Sequence, residues 1–236
     1  MSRRVAILQS NYIPWKGYFD IIHDVDRFVF YDDNQYTSRD WRNRNKIKTA
    51  QGAAWLSVPV GTDRSRLICD VSIPDRGWQA KHWIALQQNY GKCPHFERYR
   101  DYFEHVYLGT TWTMLSDLNQ STIRHIAREF LGIRTEFSDS RGYDGQGLKL
   151  DKLVDVARKA GATYYLSGPA AKDYIVEDRF KEVGIELAWK DYTGYPEYPQ
   201  RFPPFEHGVT VLDLLFNVGP DAPWYIWGWR ESPRGP

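Results

Sequence analysis

Three times in this sequence a helical stretch ends at a glycine and an extended apolar segment follows at once. The three glycines are Gly132, Gly161 and Gly184. Because glycine takes the left-handed backbone conformation at little cost, it closes a helix and turns the chain into the next strand. Alternating helices and strands favour an α/β fold with a mostly parallel sheet and flanking helices. The expected architecture is Rossmann-like, a type common among nucleotide-binding proteins.

The first forty residues fit the same architecture. Residues 5–8 and 27–31 have the apolar, β-branched and aromatic character of buried strands, and residues 17–24 between them are typical of a helix. Ligands of parallel sheets bind outside the carboxyl ends of the strands. We therefore expect the ligand site in three loops, which follow Leu8, Tyr31 and Leu166.

Residues 1–219 are predicted to form a single α/β domain that contains two inserted segments. Short β segments at 55–60 and 70–73 predict a small antiparallel insertion at about 50–75. Helical periodicity from 78 to about 131 predicts three consecutive helices. A last helix is expected after Thr210, with Thr210 as its cap and Asp213 reaching back to complete a capping box. Residues 220–236, rich in proline and tryptophan, are expected to form an extended tail.

Composition narrows the class of protein. The 31 Lys and Arg residues balance 30 Asp and Glu residues, which excludes a wholly basic nucleic-acid platform. Two cysteines are too few for a disulfide scaffold, and Cys93 is expected to be a buried small side chain rather than a nucleophile. Neither a signal-peptide core nor an apolar run of the ~18 residues that span a membrane is found. The expected localisation is cytoplasmic, and a homo-oligomer is left open.

A basic segment at residues 39–48 is the clearest candidate for ligand binding. Its five positive charges and one negative charge give it +4 in ten residues. Arginine forks bind phosphate bidentately, asparagines add hydrogen bonds, and an indole offers a stacking face. The alternative is a solvated strand edge that is protected by its charge. The predicted phosphate- and substrate-binding residues of this segment are Trp41, Arg42, Asn43, Arg44 and Lys48.

Adjacent carboxylates follow the second predicted strand. Asp33 is our candidate for a general base or an amine binder, and Asp32 for the residue that forms the turn, although a plain Asp-rich turn is the alternative. No metal-ligand spacing is present, so no metal site is predicted, and a carboxylate-held Mg²⁺ beside phosphates is left open. Tyr12 completes the catalytic candidates beside Asp33 and Asp32. The remaining predicted binding residues are Gln9, Asn11, Trp15, Gln35, Tyr36, Ser167, Gly168, Asp173 and Tyr174.

Five blocks of the chain resemble the WbqC-like family. They are residues 9–20, 32–36, 41–48, 165–168 and 211–217, so the likeness spans about residues 5–219. Members of that family are encoded in bacterial O-antigen and other polysaccharide or secondary-metabolite gene clusters. They have been suggested to attach an amino acid such as glycine, or another acyl group, to an amino sugar. The family often begins its first block with His-Gln-Pro, whereas this chain has Leu8-Gln9-Ser10, so a histidine base is absent there.

The resemblance implies an enzyme of nucleotide-sugar, polysaccharide or glycoconjugate biosynthesis, an acyl or aminoacyl transferase with an amino sugar or nucleotide-sugar as its partner. Arg42 and Arg44 would hold a diphosphate, Trp41 or Tyr36 would stack on a ring, and Asp33 would deprotonate the attacking ammonium. ATP or acyl-CoA is the candidate co-substrate, although neither a GxxxxGK[ST] loop nor a GxGxxG fingerprint occurs. The alternative is a non-catalytic module that binds a nucleotide-sugar, a carbohydrate or RNA. The near-zero net charge disfavours nucleic acid.

Overall fold

The computed structural model describes residues 2–231, in which a five-stranded sheet is covered by helices and accompanied by a two-stranded hairpin. The strands are β1 (Arg4–Leu8), β2 (Arg27–Phe30), β3 (Arg44–Thr49), β4 (Gly52–Ser57), β5 (Glu136–Asp139), β6 (Tyr164–Ser167) and β7 (Glu186–Trp189). The α-helices are α1 (Lys16–His23), α2 (Gly77–Tyr90), α3 (Phe96–Glu104), α4 (Leu115–His125), α5 (Leu150–Lys159), α6 (Glu177–Lys181), α7 (Val211–Val218) and α8 (Trp229–Glu231).

The large sheet has the order β5-β2-β1-β6-β7, and every neighbouring pair of strands is parallel. The chain therefore winds outward from β1 in one direction through β2 and β5, then returns and winds the other way through β6 and β7. This confirms the α/β fold with a mostly parallel sheet. In such a sheet the reversal opens a crevice between the two central strands, here β1 and β6, at their carboxyl ends.

The three glycines act as the sequence predicts. Gly132, Gly161 and Gly184 have φ angles of +67°, +79° and +75°, in the left-handed region. The residue after each glycine donates its N–H to a carbonyl of the preceding helical turn, over 2.8–3.0 Å. These bonds satisfy carbonyls that the ends of the helices would otherwise leave without a partner. The chain then enters β5, β6 and β7.

The sheet separates two apolar layers. Side chains such as Val5, Ile7 and Val29 point to one face and pack with α5 and α6. Phe28, Phe30 and others point to the opposite face, where the core also includes α1, the inserted helices and α7. The alternation of a strand's side chains therefore leaves the large sheet buried on both faces.

The antiparallel insertion begins earlier than the sequence predicts. β3 pairs antiparallel with β4 over Arg44–Thr49 and Gly52–Ser57, so the second half of the basic segment is itself a strand. The predicted strand at 70–73 is wrong, because a 3₁₀ helix covers Ile68–Asp70 and Ser72 makes only an isolated bridge with Met114. In β3 the charged Arg44, Lys46 and Lys48 share one face, and the buried Asn45 and Ile47 share the other, where the polar Asn45 conceals the apolar pattern.

The described part of the C-terminal tail is helical rather than extended. A 3₁₀ turn at Gly219–Asp221, a π-helical turn at Trp224–Gly228 and α8 follow α7, whereas residues 232–236 lie outside the described part. Trp227 stacks on His23 at 4.0 Å between ring centroids. Arg230 donates two hydrogen bonds, of 2.7 and 2.9 Å, to the fully buried carboxylate of Asp20 in α1.

Two further features concern the ends of helices. Thr210 caps α7, since its hydroxyl accepts the N–H of Leu212 over 3.3 Å. The predicted return of Asp213 to complete a capping box is wrong, because its buried carboxylate accepts hydrogen bonds from Tyr198 and Gln200 instead. Within residues 2–231, every helix is too short or too polar to cross a bilayer.

Arg230→Ala should lower the free energy of unfolding by about 2–4 kcal/mol, because Asp20 would lose a charged partner while remaining buried. Urea unfolding measures this change. Arg158→Ala is the control, since the ion pair of Arg158 with Asp155 is at the surface and should contribute less than ~1 kcal/mol. Equal losses in the two variants would contradict the role given to Arg230.

Candidate functional site

A cavity of about 660 Å³ opens at the carboxyl ends of β1 and β6, where the strand order reverses. We call it the cleft. All three loops expected to carry the site contribute to its walls, together with Arg42 and the start of α5. The polar and aromatic residues that line it are Gln9, Asn11, Tyr31, Asn34, Arg42, Lys149, Tyr165, Ser167, Gly168 and Tyr174.

The cleft is cationic. Arg42 and Lys149 line it, and its lining residues within the described chain include no carboxylate. Helix α5 begins at Leu150 in the cleft wall, and no side chain caps its N-terminus. In this first turn the N–H of Asp151 donates to the carbonyl of Leu148, and the carboxylate of Asp151 pairs with Arg179. The other N–H groups and the helix dipole at such an end favour negative charge. The arrangement therefore suits an anionic ligand such as a phosphate.

Arg42 is held in place by its neighbours. Its Nη1 donates a hydrogen bond to Oδ1 of Asn11, and its Nη2 lies 3.6 Å from Oδ2 of Asp40. The side chain is only 14% exposed, so its guanidinium is pre-positioned at the cleft rather than free in solvent. A fixed guanidinium loses less conformational entropy when it binds an anion.

Tyrosines supply the neutral polar groups of the cleft. Burial raises the pKa of Tyr31, and partial desolvation raises that of Tyr174, which is 64% exposed, above the usual value of 10.0, so both hydroxyls remain protonated at neutral pH. In Tyr174 the positive charge of Arg42 opposes that shift. Both tyrosines can therefore donate hydrogen bonds to a ligand.

A second cavity of about 360 Å³ adjoins the cleft, and Asn11 lines both. We call it the tryptophan pocket. Its lining residues are Asn11, Pro14, Trp15, Trp41, Asn45 and Gly208, none of which is charged. The site thus consists of a cationic compartment and an aromatic compartment, with the hydrogen-bonded pair Asn11–Arg42 where they meet.

Trp15 lies against the first turn of α1 because residue 17 is glycine. A Cβ atom at Gly17 would lie 2.3 Å from the indole of Trp15, far inside van der Waals contact. Tyr192 and Tyr195 contact the indole edge to face, with centroids 5.3 and 6.0 Å away. These contacts fix one wall of the tryptophan pocket.

Asp32 is an internal anchor. Its fully buried carboxylate accepts hydrogen bonds from the N–H of Ser10 (2.8 Å), the hydroxyl of Ser116 (2.5 Å) and the amide of Gln120 (2.9 Å). It therefore ties the loop after β1 to the loop after β2 and to α4. Asp32 lines neither cavity, so the structure places it away from a reacting substrate.

Asp33, the candidate general base, faces α5 instead of the cleft. Its carboxylate lies 2.7 Å from Nζ of Lys152 and accepts a hydrogen bond from the hydroxyl of Ser140. Asp33 is absent from the residues that line either cavity. The ion pair therefore neutralises the carboxylate that the sequence proposes as a base.

Tyr12 is buried beneath the inserted helices. Its hydroxyl lies 2.8 Å from Nδ1 of His82 and 2.6 Å from the hydroxyl of Tyr107. Burial, reinforced by Tyr107, raises the pKa of Tyr12 well above its usual value. Tyr12 lines neither cavity, so it anchors the loop after β1 rather than acting on a ligand there.

The other predicted binding residues fall into two groups. Gln9, Asn11, Arg42, Ser167, Gly168 and Tyr174 line the cleft, while Trp15 and Trp41 line the tryptophan pocket together with Asn11. Outside both cavities lie Gln35, Tyr36, Asn43, Arg44, Lys48 and Asp173. Lys48 is buried and donates to the carbonyl of Pro204, and Arg44 stacks 4.1 Å above the ring of Trp55.

Sequence reasoning missed four cleft residues, Tyr31, Asn34, Lys149 and Tyr165. The rule that ligands gather at strand ends points to Tyr31 and Asn34, since both belong to the end of β2 or the loop after it. Lys149 carries no such signal, because the crossover helix α5 brings it to the cleft from a distant part of the sequence.

One group that could hold a metal ion occurs among residues 2–231. The one carboxylate and histidine group close enough to hold an ion is Asp20, His23 and Asp24. Lys190 lies 2.9 Å from Asp20 and 2.5 Å from Asp24, and Arg230 also contacts Asp20. These cations already balance the carboxylates, so the group is a buried ion-pair cluster.

The parallel sheet winds outward from its first strand, and the cleft lies where the strand order reverses. These two features define a Rossmann-type α/β protein. The chain belongs to the WbqC-like protein family, whose family model matches residues 9–225, and that family is linked in general to glycoconjugate biosynthesis. The chain is also 45% identical over 226 residues to the uncharacterized protein Rv1507c of Mycobacterium tuberculosis (strain ATCC 25618 / H37Rv), which covers 95% of this chain and 97% of that protein. No solved structure matches the chain.

Asp32→Ala should lower the free energy of unfolding by about 2–4 kcal/mol, because buried donors of Ser10, Ser116 and Gln120 would lose their acceptor. Thermal and urea unfolding measure the loss. Asp173→Ala, which removes an exposed carboxylate, should change stability by less than ~0.5 kcal/mol. A loss no larger than that of the control would show that Asp32 is not the anchor of these loops.

Stability should also fall between about pH 6.5 and pH 4 because of His82. Burial lowers the pKa of this histidine from 6.5 to about 4, so in this range the unfolded chain binds a proton that the folded chain excludes. Above pH 6.5 both states are neutral and His82 contributes no pH dependence. The expected loss from this group is about 2–3 kcal/mol on going from pH 7 to pH 4.5.

Urea unfolding of the wild type and of His82→Phe at several pH values measures this contribution. The variant should show a shallower decline between pH 6.5 and 4, whereas His105→Gln, at an exposed position, should retain the wild-type slope. Parallel curves for the wild type and His82→Phe would contradict the assignment.

Proposed function

We propose that the protein is an enzyme of nucleotide-sugar, polysaccharide or glycoconjugate biosynthesis, and that it transfers an acyl or aminoacyl group to an amino sugar. The observation that carries the proposal is the cationic cleft, which has no lining carboxylate within the described chain and lies where the strand order reverses. The general link of the WbqC-like family to glycoconjugate biosynthesis supports the choice of pathway. The ligand of the cleft would be the diphosphate and sugar of an amino nucleotide-sugar.

Arg42 would bind the diphosphate, with Lys149 and the first turn of α5 as its partners. A guanidinium held by Asn11 can still present its other N–H groups to phosphate oxygens. The uncapped N-terminus of α5 would add backbone donors on the same side. The predicted role of Arg44 is not part of this proposal, since Arg44 lies outside the cleft and stacks on Trp55.

Acyl transfer needs a neutral amine beside an activated carbonyl and hydrogen-bond donors for the oxyanion that forms. The Asn11 amide, the Ser167 hydroxyl and the Tyr174 hydroxyl line the cleft and can donate. The described lining residues include no carboxylate or imidazole, so they would position and polarise the reactants rather than act as a strong general base. An acyl donor that is already activated, acyl-CoA or an ATP-derived adenylate, fits this arrangement.

A specific observation favours the alternative of a non-catalytic carbohydrate- or RNA-binding module. Trp41 and Trp55 are each 42% exposed and contact one another, and the cations of Arg44 and Lys46 lie above the ring of Trp55. Exposed aromatic rings with adjacent cations are typical of surfaces that bind polymers. This alternative would be favoured if the protein binds an oligosaccharide or an oligonucleotide through Trp55 and leaves every sugar amine unmodified.

Arg42→Ala should weaken binding of UDP- and dTDP-amino sugars at least tenfold, because charge-assisted hydrogen bonds to the diphosphate would be lost. Calorimetric titration measures the affinity. Arg44→Ala is the matched control and should bind as the wild type does, since Arg44 lies outside the cleft. Absence of binding to the wild type, or equal losses in both variants, would refute the proposed site.

The reaction itself can be followed by mass spectrometry. Wild-type protein, an amino nucleotide-sugar, and either acyl-CoA or glycine with ATP should give a sugar product heavier by the acyl or aminoacyl group. If the sugar binds at Arg42 and no donor gives a product, the transferase assignment is wrong although the binding site remains.

A further inference from the structure

We propose that the tryptophan pocket binds the base of a nucleoside diphosphate whose phosphates lie in the cleft. This inference rests on the proposed function, and it adds the orientation of the ligand and the recognition of its nucleoside part. It follows from the chemistry of the pocket walls, from the state of their polar groups and from the connection between the two cavities.

The walls of the pocket match a flat, uncharged group. Trp15, Trp41 and Pro14 provide apolar faces, and none of the lining residues carries a charge. A nucleobase is planar and neutral at physiological pH, and its faces stack on aromatic side chains whichever base it is. A cavity of about 360 Å³ has room for a base and part of its ribose.

The two indoles differ in how they are held. Trp15 is fixed between Gly17 and the tyrosines at positions 192 and 195, so it forms a rigid wall. Trp41 is 42% exposed and contacts the ring of Trp55, at 5.3 Å between centroids. An exposed indole at the rim of an apolar pocket leaves a stacking face open for a ligand.

The polar groups of the pocket leave one amide for the ligand. Asn45 has no N–H left to donate, because its Nδ2 bonds to the carbonyls of Tyr12 and Ile13, and its Oδ1 already accepts the N–H of Lys46. Asn11 accepts from Arg42 through Oδ1, which orients Nδ2 as a donor. One oriented donor suits the carbonyl edge of a base, whereas a sugar ring would need partners for several hydroxyls.

Asn11 also explains how one ligand can occupy both cavities. It lines the cleft and the pocket, and Arg42, the phosphate-binding residue, is bonded to it. A nucleoside diphosphate would pass Asn11 with its phosphates toward Arg42 and Lys149 and its base toward Trp15 and Trp41. The sugar attached to the second phosphate would then lie in the remaining space of the cleft.

Calorimetric titration with pyrophosphate, with UDP, dTDP, GDP and ADP, and with a UDP-sugar separates the parts of the ligand. For the wild type, at least one nucleoside diphosphate should bind tenfold or more tightly than pyrophosphate. Trp41→Ala should remove most of that advantage and leave pyrophosphate affinity unchanged, and Trp41→Phe should retain it. Leu108→Ala is the control, since Leu108 is a large side chain, 53% exposed, that lines neither the pocket nor the cleft.

The outcomes distinguish this inference from the proposed function. Arg42→Ala should weaken pyrophosphate and nucleoside diphosphate alike. The base subsite is refuted if nucleoside diphosphates bind no more tightly than pyrophosphate. It is also refuted if Trp41→Ala leaves the affinity for UDP unchanged and weakens only the binding of the UDP-sugar. In both cases an effect of Arg42→Ala would leave the cleft as the phosphate site, whereas failure of every one of these ligands to bind the wild type would refute the proposed function as well.

Discussion

The buried carboxylate of Asp32 is the interaction on which the geometry of the site depends. Loops are usually the most mobile parts of a parallel sheet, yet here the loops after β1 and β2 are both tied to one fixed acceptor. Gln120 bridges from Asp32 to Asp139 at the end of β5, over 2.9 Å on each side, which brings a third strand end into the same network. A buried acceptor that lost its donors would raise the free energy of the folded state, so this network holds the loops in one arrangement.

The second constraint is the distribution of charge. The whole chain is nearly neutral, with a formal net charge of +1, yet the cleft is cationic. The nearby carboxylates are each satisfied elsewhere: Asp32 by neutral donors, Asp33 by Lys152, and Asp40 by Thr37, the Trp41 N–H and one side of Arg42. Arg42, one side of which faces Asp40, and Lys149 therefore give the cleft lining its positive charge. Composition alone does not predict such a local charge imbalance, because it depends on which charged side chains pair in the folded protein.

Local signals in the sequence predicted most elements and some of the site. The left-handed glycines, the apolar strands and the periodic helices each depend on a few neighbouring residues, so they could be recognised without a structure. Arg42 and Asn11, which line the cleft, were predicted as binding residues because they belong to polar segments beside strand ends. Arg44 and Lys48 of β3, and Asn43 just before it, belong to the same basic segment, but they lie outside the cleft and each has a partner within the protein. The apolar alternation of a strand is hard to recognise when a polar residue such as Asn45 occupies its buried face.

The sequence by itself determined the fold class, the three strand-end loops and the presence of a basic segment, since each follows from backbone preference, apolar patterning or local charge. Only the tertiary structure decided which residues of those segments share a cavity. It paired Asp33 with Lys152, buried Tyr12 against His82, and brought Lys149 from α5 to the cleft. The physical reason is that the pairing of charges and the burial of hydroxyl groups depend on contacts between residues far apart in the chain. No local sequence pattern predicts which distant residue a side chain will contact.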